Sequence, residues 1–186
     1  MSERRRELVE RSLDYLLDHG VANLSLRPLA ADVGTSARLL VYHFGSKEGL
    51  LIAAMDELRV RVQASFRAVT ACASARHSSP LDAFWQWATR REHLRYLSLL
   101  FEVQVLALHQ PAQYARCLEH TSASWLELIE GALPASRRSP ALATLCGAVI
   151  DGLLLELLST GDRRRTTDAI TLFGALLHKR KVQNTR

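Results

Sequence analysis

Residues 25–44, SLRPLAADVGTSARLLVYHF, hold the side chains whose types and spacing point to a definite chemistry. Arg38 carries a planar guanidinium that can read guanine O6 and N7 through two parallel hydrogen bonds. Tyr42 and His43 follow about one helical turn later, where a phenol and an imidazole suit a phosphate or a base edge. Ser36 and Ala37 stand beside Arg38 at the start of the same helix, and the first residues of such a helix enter a major groove. Ser25 and Arg27 open the helix before it, where free N–H groups and a cation hold a phosphate. Lys47 opens the helix after it; a cation there opposes the helix dipole, which an external anion would explain. Plainer readings stand beside these: Arg38 as a solvated charge, His43 as a packed histidine, Lys47 as the partner of a nearby carboxylate. The basic run Arg4–Arg6 reads as a disordered tail or as an arm grazing DNA.

Such residues need a scaffold. Two short helices crossing steeply require a small residue at the crossing, a residue that accepts positive φ in the turn, and an apolar residue closing the core from the second helix. Ala30, Gly34 and Leu40 fall at that spacing, with Leu29, Val33 and Phe44 around them. Leu8, Leu13, Leu16 and Leu17 share one face of a preceding helix that ends at His19-Gly20. Ser25, Ser36 and Ser46 are predicted N-caps of the next three helices, the last running from about 47 to 73. Residues 74–80 read as a linker. Apolar periodic segments follow over 81–90, 92–109, 111 to about 131, 141–159 and 166–180, with Arg163–Arg165 as a solvated turn before the last. That makes nine helices. With no alternating strand pattern anywhere, the fold class is all-α.

Composition sets bounds but does not decide function. The 186 residues are 48% hydrophobic and 23% charged, ordinary for a globular chain, with a net charge of +5. Seven basic residues balance seven acidic ones within residues 1–50, so bulk charge does not mark a DNA-binding end. Cys72, Cys117 and Cys146 are odd in number and far apart, which argues against a disulfide framework and for a reducing, cytoplasmic setting. Residues 145–158 form the most apolar stretch, but Asp151 and Glu156 interrupt it, and neither a signal peptide nor a membrane span is expected. Cys117 and His120 share a helical face without a second pair to complete a zinc site, so no metal or cofactor is expected. No HExxH, Gly-rich phosphate loop or G-x-S-x-G elbow occurs, and an enzyme ranks last among the readings.

Residues 8–55, and GTSARLLVYHFGSKEGLL above all, resemble the N-terminal domain of the tetracycline-repressor (TetR) family. The resemblance implies an N-terminal helix-turn-helix domain over 1–46 and a helical effector-binding and dimerisation bundle over 47–186. It also implies a homodimer that represses from a palindromic double-stranded operator and is released by a small hydrophobic effector, the alternative being an activator or a helical protein-interaction role with secondary DNA binding. By position, Arg27, Ser36, Arg38, Tyr42, His43 and Lys47 match the family's DNA contacts. Leu39 stands where a small or hydroxyl residue is usual, and Val41 where an aromatic is usual, with Tyr42 one place later. Candidate effector contacts are Trp85, Tyr96, Phe101, Glu102, Gln104, His109 and Trp125, the aromatic and polar residues of otherwise apolar helices. Leu145, Val149, Leu153 and Leu157 form one stripe, and Leu172, Phe173 and Leu176 another, suited to an intermolecular four-helix bundle.

Overall fold

The computed structural model describes residues 2–75 and 79–179, with side chains for all of these except 73–75, 117–123 and 178–179. Among the described residues there are nine α-helices, one 3-10 turn and no strand. The helices are α1 Glu3–His19, α2 Leu26–Asp32, α3 Ala37–Phe44, α4 Lys47–Ala75, α5 Pro80–Ala88, α6 Arg91–His109, α7 Pro111–Ala132, α8 Pro140–Thr160 and α9 Arg163–Lys179, with the 3-10 turn at Ala135–Arg137. The expected linker over 74–80 lies partly outside the described residues. Its last two positions, Ser79 and Pro80, begin α5, with the Ser79 hydroxyl accepting the Asp82 N–H.

The chain forms two compact units, Met1–Ala64 with Arg95–Ser124, and Ser65–Leu94 with Trp125–Arg186. This division differs from the expected boundary at 46/47: the first part of α4, most of α6 and the first part of α7 group with the helix-turn-helix.

In the first unit, α1 buries Leu8, Val9, Leu13 and Leu16 on one stripe, α2 buries Leu29 and Ala30, and α3 buries Leu40 and Phe44. Leu50, Leu51, Ala54 and Met55 add the inner face of α4. Each fully buried leucine stabilises by about 1.5–3 kcal/mol relative to exposure, so this small core is a real folding unit. Capping follows the serines with one exception. Ser36 Oγ accepts the Leu39 N–H at 3.1 Å and Ser46 Oγ accepts the Gly49 N–H at 3.0 Å. Ser25 holds the N-cap position of α2 in extended backbone, but its side chain makes no capping bond. Arg4–Arg6 are neither tail nor loose arm. They form the first turn of α1, capped by Ser2, with Arg4 paired to Glu7 at 2.6 Å.

In the second unit, α9 packs on both α5 and α8. Phe84, Trp85, Trp87 and Ala88 of α5, Ala143, Cys146, Ile150, Leu154 and Leu157 of α8, and Ile170 of α9 are buried. The run Arg163–Arg165, expected as a turn, is the first turn of α9. Asp162 explains this: its carboxylate accepts the Arg165 N–H at 3.0 Å and so caps the helix. Arg165 also pairs with Glu156 at 2.6 Å, and Arg163 donates to the Thr89 carbonyl. By length and composition alone, α8 is long and apolar enough to cross a membrane, with a mean hydropathy of 1.9 in its most apolar window.

Candidate nucleic-acid interface

The turn between α2 and α3 is closed by backbone geometry. Gly34 takes φ +69°, and the Thr35 N–H returns to the Ala30 carbonyl at 2.8 Å. Ala30 is buried at that point, and Leu40 and Val33 close the core beneath it. Arg11 on α1 donates to the Asp32 carbonyl at 3.4 Å, placing a cation at the C-terminal end of α2. At the far end of α3, Arg5 donates from Nε to the His43 carbonyl at 3.3 Å, and its guanidinium lies over the Phe44 ring at 4.9 Å. These two arginines, of which the sequence offered Arg5 only as part of a tail or arm, satisfy helix-end carbonyls and lock α1 against the helix pair.

A second close approach fixes α4. A Cβ on Gly49 would stand 2.1 Å from the Phe44 carbonyl oxygen, so only glycine lets the first turn of α4 meet the end of α3. Behind the pair, Glu102 of α6 accepts the N–H groups of Val21 and Ala22 at 2.9 and 2.7 Å. Arg95, two turns earlier on α6, pairs with Asp18. α6 therefore grips the α1–α2 connection through two charged contacts.

With the inner face so occupied, the outer face of the pair presents Ser25, Arg27, Ser36 and Arg38 exposed, and Tyr42 with 80% of its surface free. Arg38 and Tyr42 are four residues apart and share one face of α3. Ala37, His43 and Lys47 are half-buried at the margin of this face, and the His43 ring meets Tyr42 edge-on at 5.2 Å. The described ion pairs of this unit engage none of Arg27, Arg38 and Lys47. Val41 is 42% exposed and lies beside Tyr42, so the one-place shift of the aromatic still leaves a phenol on the outer face.

Residues 8–54 match the family described as bacterial regulatory proteins, tetR family. Over nearly its whole length the chain also superposes on a protein from Rhodococcus sp. assigned to the TetR-family regulators, with 25% identity, a TM-score of 0.73, and coverage of 95% of this chain and 97% of that one. The N-terminal part of the chain, residues 8–54, carries the tetR-family pattern. Over 55 residues, 30% of its length, the chain is 36% identical to the HTH-type transcriptional regulator BetI 1 of Chromohalobacter salexigens, and it spans 27% of that relative. Its fold also matches the multidrug binding protein EbrR complexed with ethidium, with 23% identity, a TM-score of 0.70, and coverage of 91% and 96%. Members of the family are regulators, not enzymes.

The second unit holds a cavity of about 270 Å³, walled by Phe66, Phe84, Ile129, Leu142, Ile150 and Leu177 among others. None of the seven expected effector contacts lines it. Glu102 is taken up by backbone N–H groups in the first unit, where Tyr96, Phe101, Gln104 and the exposed His109 also lie. Trp85 is buried with its indole N–H on Thr167 Oγ1 at 3.0 Å. Trp125 meets two lining residues, Phe66 and Phe84, edge-on with ring centroids 5.9 and 6.4 Å apart. The aromatics with the larger rings serve as packing, and smaller apolar residues shape the void. Of the expected dimer residues, Leu145, Leu172 and Leu176 are 51%, 62% and 58% exposed, and Val149, Leu153 and Phe173 are half-buried. Leu157 is the exception: it points into the core at 5% exposure, while Leu155 at 53% and Leu158 at 37% face outward. Cys117 and His120 lie outside the described side chains, and no metal-binding cluster occurs among the rest.

Proposed function

We propose that this protein is a transcriptional regulator that binds double-stranded operator DNA as a homodimer and responds to a small apolar effector. The observation that carries the reading is the pair of faces on α3: an inner face locked by Leu40, Phe44, Arg5 and Gly49, and an outer face that leaves Arg38 and Tyr42 free. A helix held rigidly on one side and polar on the other suits insertion into a major groove, with Arg38 reading a base edge. Arg27 and Lys47, at the starts of α2 and α4, then meet phosphates on either side.

The exposed leucines of α8 and α9 supply the dimer face. We read α8 with α9 as half of an intermolecular four-helix bundle, and α8 not as a membrane span, because its buried row packs on α9 and Asp151-Gly152 breaks the outer one. Two copies place two α3 helices for the two halves of a palindrome. The cavity is the effector site. Phe66 at its wall belongs to α4, the helix that begins at Lys47 beside the recognition pair. An effector that favours one tilt of α4 then shifts the balance between operator-bound and free forms, and repression with release is the simplest outcome. The setting is cytoplasmic.

The test is retention on duplex DNA as salt rises. Specific binding should persist at physiological salt and should be lost in Arg38→Ala and in Tyr42→Ala. Binding that is sequence-blind, collapses with salt and ignores both substitutions would contradict the proposal.

A further inference from the structure

Resting on the reading of the cavity as the effector site, we infer that its ligand is an amphiphile of medium length whose anionic head group is held by Arg137. The lining is apolar apart from Ser79, Ser136 and Arg137, and Arg137, half-buried, is its one charged residue. One of its N–H groups donates to the Leu177 carbonyl at the end of α9. A guanidinium has five donors, so most of them remain for a ligand. None of the described ion pairs gives Arg137 a carboxylate. Its neighbour Arg138 turns instead to the carbonyls of Gly131 and Leu133 and is not part of the lining.

The same cavity takes in Ser79, Pro80 and Leu81, the first turn of α5 and its cap. A helix N-terminus adds partial positive charge. Asp82, the acid of that turn, is exposed and outside the lining. A half-buried guanidinium beside apolar walls favours a carboxylate, which it can meet with two parallel hydrogen bonds, and disfavours a cation. A void of about 270 Å³ has room for a small amphiphile with a chain of roughly eight carbons.

Three probes of equal length separate the charge of the head from the apolar body: octanoate, 1-octanol and octylammonium, titrated calorimetrically into the full chain at neutral pH. Octanoate should bind at least about tenfold more tightly than octanol, the factor expected for a charged hydrogen bond, with octylammonium weakest. In Arg137→Gln, octanoate should lose that factor while octanol stays within about twofold, which also reports that the variant is folded. Arg137→Lys should keep the preference for octanoate over octylammonium. Octanol or octylammonium binding as tightly as octanoate would overturn the inference and leave the effector cavity standing. Failure of all three probes to bind would overturn both.

Discussion

Gly49 is where a single hydrogen atom matters most. Helix propensity alone favours alanine there by up to about 1 kcal/mol. Yet the new Cβ would stand 2.1 Å from the Phe44 carbonyl, and backbone oxygen cannot swing away as a side chain would. Gly49→Ala should therefore destabilise the protein by about 1–3 kcal/mol, the range for overpacking, as read by chemical denaturation; an unchanged or higher midpoint would contradict the close approach. Arg27 tests the electrostatics. If it holds one phosphate, Arg27→Ala should weaken binding to all duplexes alike and lower the salt slope by about one, whereas Arg38→Ala should cost sequence preference as well as affinity. The exposed polar residues of α2 and α3 were readable from their types because caps, turns and exposed cations have local signatures. Gly49, Arg5 and Arg11 were not, because each acts on a backbone carbonyl from another helix, and no spacing along the chain encodes that meeting.

At the scale of elements, α6 shows the same limit. Glu102 and Gln104 looked like polar hints of a ligand on an apolar helix. The structure spends Glu102 on two N–H groups that α1 and α2 leave unpaired around Val21 and Ala22. Glu102→Ala should cost about 1.5–3 kcal/mol, the worth of hydrogen bonds to a charged group, with Glu102→Gln losing less because one acceptor remains. A thermal melt of both variants checks this, and equal stability of Glu102→Ala and the parent would refute the grip of α6 on the connection. Helix existence and order, by contrast, followed directly from apolar periodicity and breakers. The start of α9 did not, because an arginine triplet hides the cap that Asp162 provides. In α8, burial pushes the Cys146 thiol above its ordinary pKa, so little thiolate exists near neutrality. Alkylation mapped by peptide mass should modify the exposed Cys72 well before Cys146. Comparable rates would contradict the packing of α8.

For the whole molecule, the proposed reading ties dimerisation to operator binding. Exposed Leu172 and Leu176 lie four residues apart on α9, on the same side of the helix. Replacing both by glutamate should convert a dimer to a monomer in light scattering and abolish binding to a two-site operator, while single half-site contacts weaken far less. A dimer that survives would move the interface elsewhere. The all-α architecture was readable because nothing in the sequence competes with helix. The division into units was not, since it depends on which parts of α4, α6 and α7 fold back on the helix-turn-helix. The most direct measurement is selection from fragmented genomic DNA at physiological salt, run in parallel on the parent and on Arg38→Ala. The account predicts one enriched two-fold symmetric motif, its half-sites separated by whole helical turns, recovered by the parent and lost with Arg38. No enrichment over random DNA, or the same motif recovered by both proteins, would contradict recognition through α3.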